Sequence, residues 1–180
     1  MSEQAHSIRA RAVDAVAILN NFVGDFVAGS MTLRDYAQRH QNGTFRSDQM
    51  VAISNMCLSH LILTFAKFEE FWSHYNNLVP DEQREHCKVI ITFAQNHGIT
   101  TLRNRYVGHI WHKQKQRPLP QSEVRTALRS IVKNDLREFM DWINDPAGNA
   151  YPSTVVSIVE TTRDAIAVTY SVRPEEFIDR

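Results

Sequence analysis

Apolar residues recur at spacings of three and four along most of the chain, which is the period of an amphipathic α-helix. Val13, Ala17, Leu19, Phe22, Val23 and Phe26 carry this pattern through a first helix over about residues 5–28, closed near Gly29. Residues 29–46 hold Gly29, Ser30, Asn42 and Gly43, and read as a loop with one helical turn from Thr32 to Arg39. Ser47 or Asp48 caps a second helix by accepting from free backbone amides. Its stripe (Met50, Ile53, Cys57, Leu61, Phe65, Phe68, Trp72 and Tyr75) runs to about Asn76 and predicts the centre of the core. Pro80, then Asp81 and Glu82, starts a third helix: the fixed φ of proline suits the first turn, and acids suit the positive end of the dipole. Val89, Ile90, Phe93 and Ala94 form its predicted buried side, and Gly98 ends it.

Thr100 or Thr101 caps a short helix through about Lys115, broken by Pro118 and Pro120. A further helix starts at Ser122 and turns Val124, Leu128, Ile131, Leu136, Phe139 and Ile143 inward. Asp145-Pro146-Ala147-Gly148-Asn149 is a turn. The segment from Pro152 to Tyr170 is rich in Val, Thr and Ile, which suits a strand by propensity. Val155, Ile158, Thr162, Ile166 and Thr169 nevertheless keep a helical spacing, so a helix is predicted there. The expectation is one all-α domain over residues 1–180, an up-and-down bundle of five to six helices, with about 171–180 as a C-terminal tail.

Composition agrees with a folded globular chain: 43% of residues are hydrophobic and 22% charged, and only 6 Gly and 6 Pro interrupt the elements. Strictly apolar runs, such as Leu61-Ile62-Leu63 and Val89-Ile90-Ile91, are short, so no segment is expected to span a bilayer. Glu3 and Asp14 interrupt the first 20 residues, unlike a signal peptide. Cys57 and Cys87 lie in apolar helical patterns without metal-type spacing, which predicts free thiols and a cytoplasmic location.

The formal net charge is zero, which speaks against a general polycation that coats nucleic acid or membrane. The charge is unevenly spread, however. Between Glu85 and Glu123 there is no acidic residue, while Lys88, Arg103, Arg105, Lys113, Lys115 and Arg117 contribute +6 and leave −6 for the remainder. The same stretch holds His86, His97, His109 and His112, half of the eight histidines. Such a run suits a solvated cationic face or one local anion-binding site.

Within it, Arg103-Asn104-Arg105-Tyr106-Val107-Gly108-His109 resembles the Arg-polar-x4-His signature of the HEPN superfamily. Asn104 fills the polar position, and Gly108 suits the small residue that commonly precedes the His. Members are small α-helical proteins, and many are metal-independent ribonucleases of toxin–antitoxin and abortive-infection systems. The long second helix and the basic loop after the His look most like the abortive-infection toxin-like branch. The resemblance implies a HEPN-like bundle, an RNA substrate, a homodimer with the site at its interface, and a cognate antitoxin as partner.

The residue types suit cleavage of RNA without a metal. A neutral imidazole, here His109, can take the proton of a 2′-hydroxyl near neutral pH. A guanidinium, here Arg103, can hold two phosphate oxygens as charge builds on them. Asn104 would orient the phosphate or the imidazole, and Tyr106 would add a hydroxyl or a stacking face. Lys113, Lys115 and Arg117 would guide the RNA backbone. Arg103 and His109 stand six residues apart, roughly 240° around a regular α-helix, so they do not share a face. One site then requires an irregular helix start or a second chain, in line with a C2 homodimer. Glu69, at the edge of the second helix's stripe, needs a partner if half-buried, and Arg103 is the expected one.

His109 and His112 could ligate a metal from one face, but no acid or Cys nearby in sequence completes a shell, so no metal or other cofactor is expected. His60 and His74 read as surface or core-edge groups, and Trp72, Trp111 and Trp142 as core. No Gly-x-Ser-x-Gly elbow and no Gly-rich phosphate loop is present. The rival expectation is a non-catalytic α-helical module that binds a nucleotide, or pairs with a separately encoded protein such as a nucleotidyltransferase-type antitoxin.

Overall fold

The computed structural model of the chain describes residues 3–107, 111–112, 116–132 and 135–177. Among these the fold is all-α apart from one two-residue hairpin. The first helix, α1, spans Glu3–Gln41 and runs straight through Gly29. Glycine disfavours a helix by about 1 kcal/mol relative to alanine, yet packing reverses its meaning here. A Cβ on Gly29 would lie 2.8 Å from Leu61 Cδ2 and 3.1 Å from His60 Cδ2. The missing side chain therefore lets the second helix, α2 (Ser47–Tyr75), cross close to α1. Ser30 is fully buried and returns its hydroxyl to the Phe26 carbonyl at 2.8 Å. Leu33 extends the buried stripe of Phe22 and Phe26. The chain turns only at Gly43, where φ is +72°. Hence the loop expected over 29–46 shrinks to 42–46.

Neither Ser47 nor Asp48 caps α2. Arg46 occupies the cap, its backbone N–H donating to Gln49 Oε1 at 3.1 Å, while its guanidinium binds Asp48 through Nε and Nη2. A 3₁₀ turn (Asn76–Leu78) leads to α3 (Asp81–Asn96), which starts after Pro80 as its sequence predicts. Gly98 follows it in the left-handed region at φ +58°. Ile90 and Ala94 are buried and Phe93 packs on the core, but Val89 is 50% exposed, and Cys87 and Ile91 take its place.

The helix expected from Ser122 is two: α5 (Gln121–Arg129), prolonged by a 3₁₀ turn (Ser130–Val132), and α6 (Leu136–Ile143). Asp135 caps α6 by accepting from the amides of Arg137 and Glu138 at 2.7 and 3.3 Å. In the turn before the last helix, Asp145 accepts from the Ala147 amide. Thr154 caps that helix, α7 (Val155–Tyr170), accepting from the Ser157 amide at 3.1 Å. Helical spacing thus prevails over β-propensity there, because Val155, Val156, Ile158, Val159 and Ile166 are all buried on the bundle.

One continuous core joins these helices. Phe65 on α2 is fully buried and meets Phe26 of α1 at 4.9 Å, Phe93 of α3 at 5.1 Å and Trp142 of α6 at 5.9 Å. Arg34 ties α1 to α6 through Asp141 at 2.6 Å and the Asn144 carbonyl at 2.9 Å. Arg163 of α7 donates to Asn20 of α1 at 3.0 Å. Cys57 and Cys87 are buried free thiols. Burial raises both, Cys87 to about 11 despite its contact with Thr162, so neither is a thiolate at neutral pH.

Ser7–Gln41 and Ser47–Leu78 are long and apolar enough to cross a membrane by length and composition. This corrects the expectation from strictly apolar runs: spaced apolar residues accumulate over many turns without forming a contiguous run. About half of each apolar window, 50% and 44%, is buried inside the bundle.

The C-terminal 3₁₀ turn (Pro174–Glu176) is fastened to α1 by Glu176, which accepts from Arg9 Nη2 at 2.7 Å and from the Arg173 amide at 2.9 Å. These bonds, Arg9 first, hold the Glu176 carboxyl down to about 2 from 4.5. A depressed carboxyl stabilises the fold above its unfolded value and loses that contribution as pH falls towards its folded value. The stabilisation is therefore expected to be complete above about pH 4.5 and lost from there down to about pH 2. Melting temperatures of wild type and Glu176→Gln should differ at pH 6 and converge towards pH 2. A gap that persists at pH 2 refutes the assignment.

Candidate active site

The motif segment opens with α4 (Ile99–Leu102), a single turn begun by Gly98, whose backbone carbonyl accepts from the Leu102 amide. It passes directly into a π-helix, Arg103–Val107, seated on α2 and α5. A π-turn closes from i to i+5, and such turns recur at functional sites. The chain then forms a hairpin: β1 (Trp111–His112) pairs antiparallel with β2 (Arg117–Pro118), Trp111 opposite Pro118 and His112 opposite Arg117. Gln116 adopts φ +48°, which no α-helix tolerates. The helix expected from Thr100 through Lys115 is thus replaced by one α-turn, one π-turn and a hairpin. The 240° separation assumed a regular α-helix, so the angular argument for a second chain no longer follows.

Arg103 is half-buried, and Asn104 is exposed. The Arg103 Nε donates to Asn104 Oδ1 at 3.1 Å. Its two Nη groups make no hydrogen bond among the described residues, so the outer fork of the guanidinium stays open to an anion. Tyr106 is half-buried on the same π-turn, its hydroxyl and ring unpartnered among the described residues. His109, Lys113 and Lys115 lie outside the described residues.

Glu69 does not pair with Arg103. Its Oε2 accepts from the Thr100 hydroxyl at 2.8 Å, which ties α2 to α4. Thr100 is accordingly no cap either; Gly98 stands at that position. Arg117 is also engaged: its Nη2 meets Glu123 Oε2 at 2.6 Å, fastening β2 to the first turn of α5. At the other end of the acid-free stretch, Lys88 pairs with Glu85 at 2.6 Å. The two carboxylates that border the +6 run thus each neutralise one of its cations. Arg103 and Arg105, both on the π-turn, form no ion pair among the described residues.

Next to that turn lies a groove of about 410 Å³ between Tyr106 and α5, bordered by Pro120, Ser122, Glu123, Thr126 and Ser130. Ser122, Thr126 and Ser130 follow one another at four-residue steps, one above the next on one helix face. Ser130 Oγ donates to the Ala127 carbonyl at 2.7 Å, whereas the hydroxyls of Ser122 and Thr126 bond nothing among the described residues. In the sequence Ser122 reads only as a helix start, and Thr126 and Ser130 belong to no motif. The available signal was that four-residue ladder of hydroxyls on the side of α5 away from Val124 and Leu128.

Three other histidines make contacts within the fold. His60 Nε2 bonds the Asp25 carbonyl at 2.9 Å, and His97 Nδ1 bonds the Phe93 carbonyl at 2.8 Å with its ring 4.2 Å from that of Phe93. His86 packs edge-on against Tyr151. Trp142 lies in the aromatic core, as expected.

No protein-family model and no curated protein matches the chain. Among solved structures the fold is similar to that of Vpc_cass2, an integron cassette protein from the mobile metagenome of V. paracholerae. The TM-score is 0.73 at 21% identity, over 88% of this chain and 96% of that one. At that identity the likeness establishes a shared all-α architecture.

Proposed function

We infer that the chain is a HEPN-like, metal-independent endoribonuclease of a toxin–antitoxin or phage-defence type, acting in the cytoplasm as a homodimer. The observation that carries this reading is the open guanidinium fork of Arg103, oriented by Asn104 on a π-turn whose two arginines form no ion pair among the described residues. In the reaction, the 2′-hydroxyl of one nucleotide loses its proton to the His109 imidazole and its oxygen attacks the neighbouring phosphorus. The bond from phosphorus to the 5′-oxygen breaks, and a proton returned by imidazolium completes the leaving hydroxyl. Arg103 holds the phosphate oxygens as their charge grows. The dimer and an antitoxin partner follow from the family resemblance. The origin of the similar cassette protein in a mobile metagenome suits a defence role.

A second reading, a non-catalytic module that binds a nucleotide or a separately encoded protein, draws support from Glu69 and Arg117, both engaged within the chain. The test is incubation of the full chain with RNA in excess chelator. Cleavage leaving 2′,3′-cyclic phosphate and 5′-hydroxyl ends, abolished in His109→Ala, is the expected result. Absence of cleavage, or equal cleavage by wild type and His109→Ala, discards the nuclease and leaves the binding module.

A further inference from the structure

The groove beside the motif has a chemistry that phosphate binding does not use. Among the described residues that border it, the one charged side chain is Glu123, whose carboxylate accepts from Arg117. A phosphate entering the groove would meet that carboxylate. The groove offers an aromatic ring and two hydroxyls that have no partner among the described residues, and a third hydroxyl with acceptor capacity left. Hydroxyls both donate and accept, so they match the mixed edge of a neutral heterocycle. Its volume, about 410 Å³, falls within the range of about 300–1,000 Å³ usual for small-ligand sites.

We propose that this groove is a nucleobase site, in which Tyr106 stacks on one unpaired base and the hydroxyls of Ser122 and Thr126 read its edge. The inference rests on the ribonuclease reading for its biological ligand, while its chemistry stands on the groove. Arg103 and Tyr106 share one five-residue π-turn, so a phosphate at the first and a base at the second belong to adjacent parts of one strand. A base reaches such a groove only when it is out of a duplex, which makes the substrate single-stranded or looped RNA. Specificity would then come from α5, and cleavage from the motif.

The probes are the four ribonucleoside 3′-monophosphates, with ribose 5-phosphate as the ligand that lacks a base, titrated into the full chain and followed by amide chemical shifts and calorimetry. At least one mononucleotide should saturate with shifts centred on Tyr106, Ser122, Thr126 and Ser130, and ribose 5-phosphate should not move them. Stacking on an aromatic is sequence-tolerant, so Tyr106→Leu should weaken all binders by about tenfold or more. Tyr106→Phe keeps the ring and should bind as wild type, which separates stacking from loss of fold. Thr126→Val, isosteric and exposed, should change the ranking among the four bases. If no mononucleotide shifts these residues, or if Tyr106→Leu and Thr126→Val bind as wild type, the proposal is overturned. Binding in the groove without cleavage in chelator would sink the nuclease and keep the base site; cleavage with a silent groove would do the reverse.

Discussion

In the chelator assay, Arg103→Ala is expected to cleave RNA about 10²–10³-fold more slowly than wild type, the usual effect of removing one preorganised donor from a developing oxyanion. The loss should fall on kcat, because charge on the phosphate oxygens is greatest in the transition state and an interaction made only there leaves KM little changed. Arg103→Lys should recover a minor part of the rate: the ammonium restores the charge but not the two-pronged donor geometry. Stability should not follow activity. The single hydrogen bond of Arg103 within the described residues runs to exposed Asn104, so its removal leaves no buried group unpaired. Melting curves of the two variants should therefore overlay that of wild type. Equal cleavage by Arg103→Ala and wild type would remove this side chain from the mechanism, and a rate loss matched by a lower melting temperature would assign it to folding instead.

Phe65→Ala should cost about 3–5 kcal/mol, the range for truncating a fully buried aromatic. Phe65 meets rings of α1, α3 and α6 at once, so no single helix can move in to fill the cavity without losing its other contacts. Domains of this kind hold a net stability of about 5–15 kcal/mol, so this one change consumes a large share. Urea unfolding should show a lower midpoint at unchanged slope, which marks lost stability rather than an altered unfolded state. Val168→Ala supplies the control, since Val168 is 81% exposed and its truncation should stay within about 0.5 kcal/mol. A midpoint shift for Phe65→Ala no larger than that control would show that the helices do not converge on this ring.

Sequence periodicity reached most helices because each must bury one face, and a buried face leaves a spacing that needs no knowledge of the partner. Periodicity is silent where the reason for a residue lies in a neighbouring element. Gly29 reads as a terminator, since its reason for being glycine is Leu61 on another helix. The break between α5 and α6 shows in the sequence as a step of five from Ile131 to Leu136, with the cap Asp135 just before Leu136, but the otherwise regular stripe conceals it. The helix expected through Lys115 rests on a threonine cap and on the prolines that end it, and such local signals do not register a left-handed residue such as Gln116 or a π-turn. At the site, the residue types and the local charge were legible, whereas the pairings were not. Glu69 lies at a helix edge, as its spacing predicts, but its partner is Thr100 rather than Arg103, and the flanking Glu85 and Glu123 each offset one cation of the +6 run.

The amino-acid sequence by itself determined the all-α class, the buried faces of α2 and α7, the free thiols, and one acid-free segment centred on the motif. These depend on local period and composition, which are properties of the chain alone. Only the tertiary structure decided that α1 continues through Gly29, that Arg103–Val107 form a π-turn rather than an α-helix, that Arg117 and Glu69 are engaged while the fork of Arg103 is open, and that Ser122 and Thr126 of α5 and Ser130 just beyond it border a groove with Tyr106. Each of these depends on which groups from distant positions meet in space, and hydrogen bonds, close helix crossings and clefts exist only between such groups.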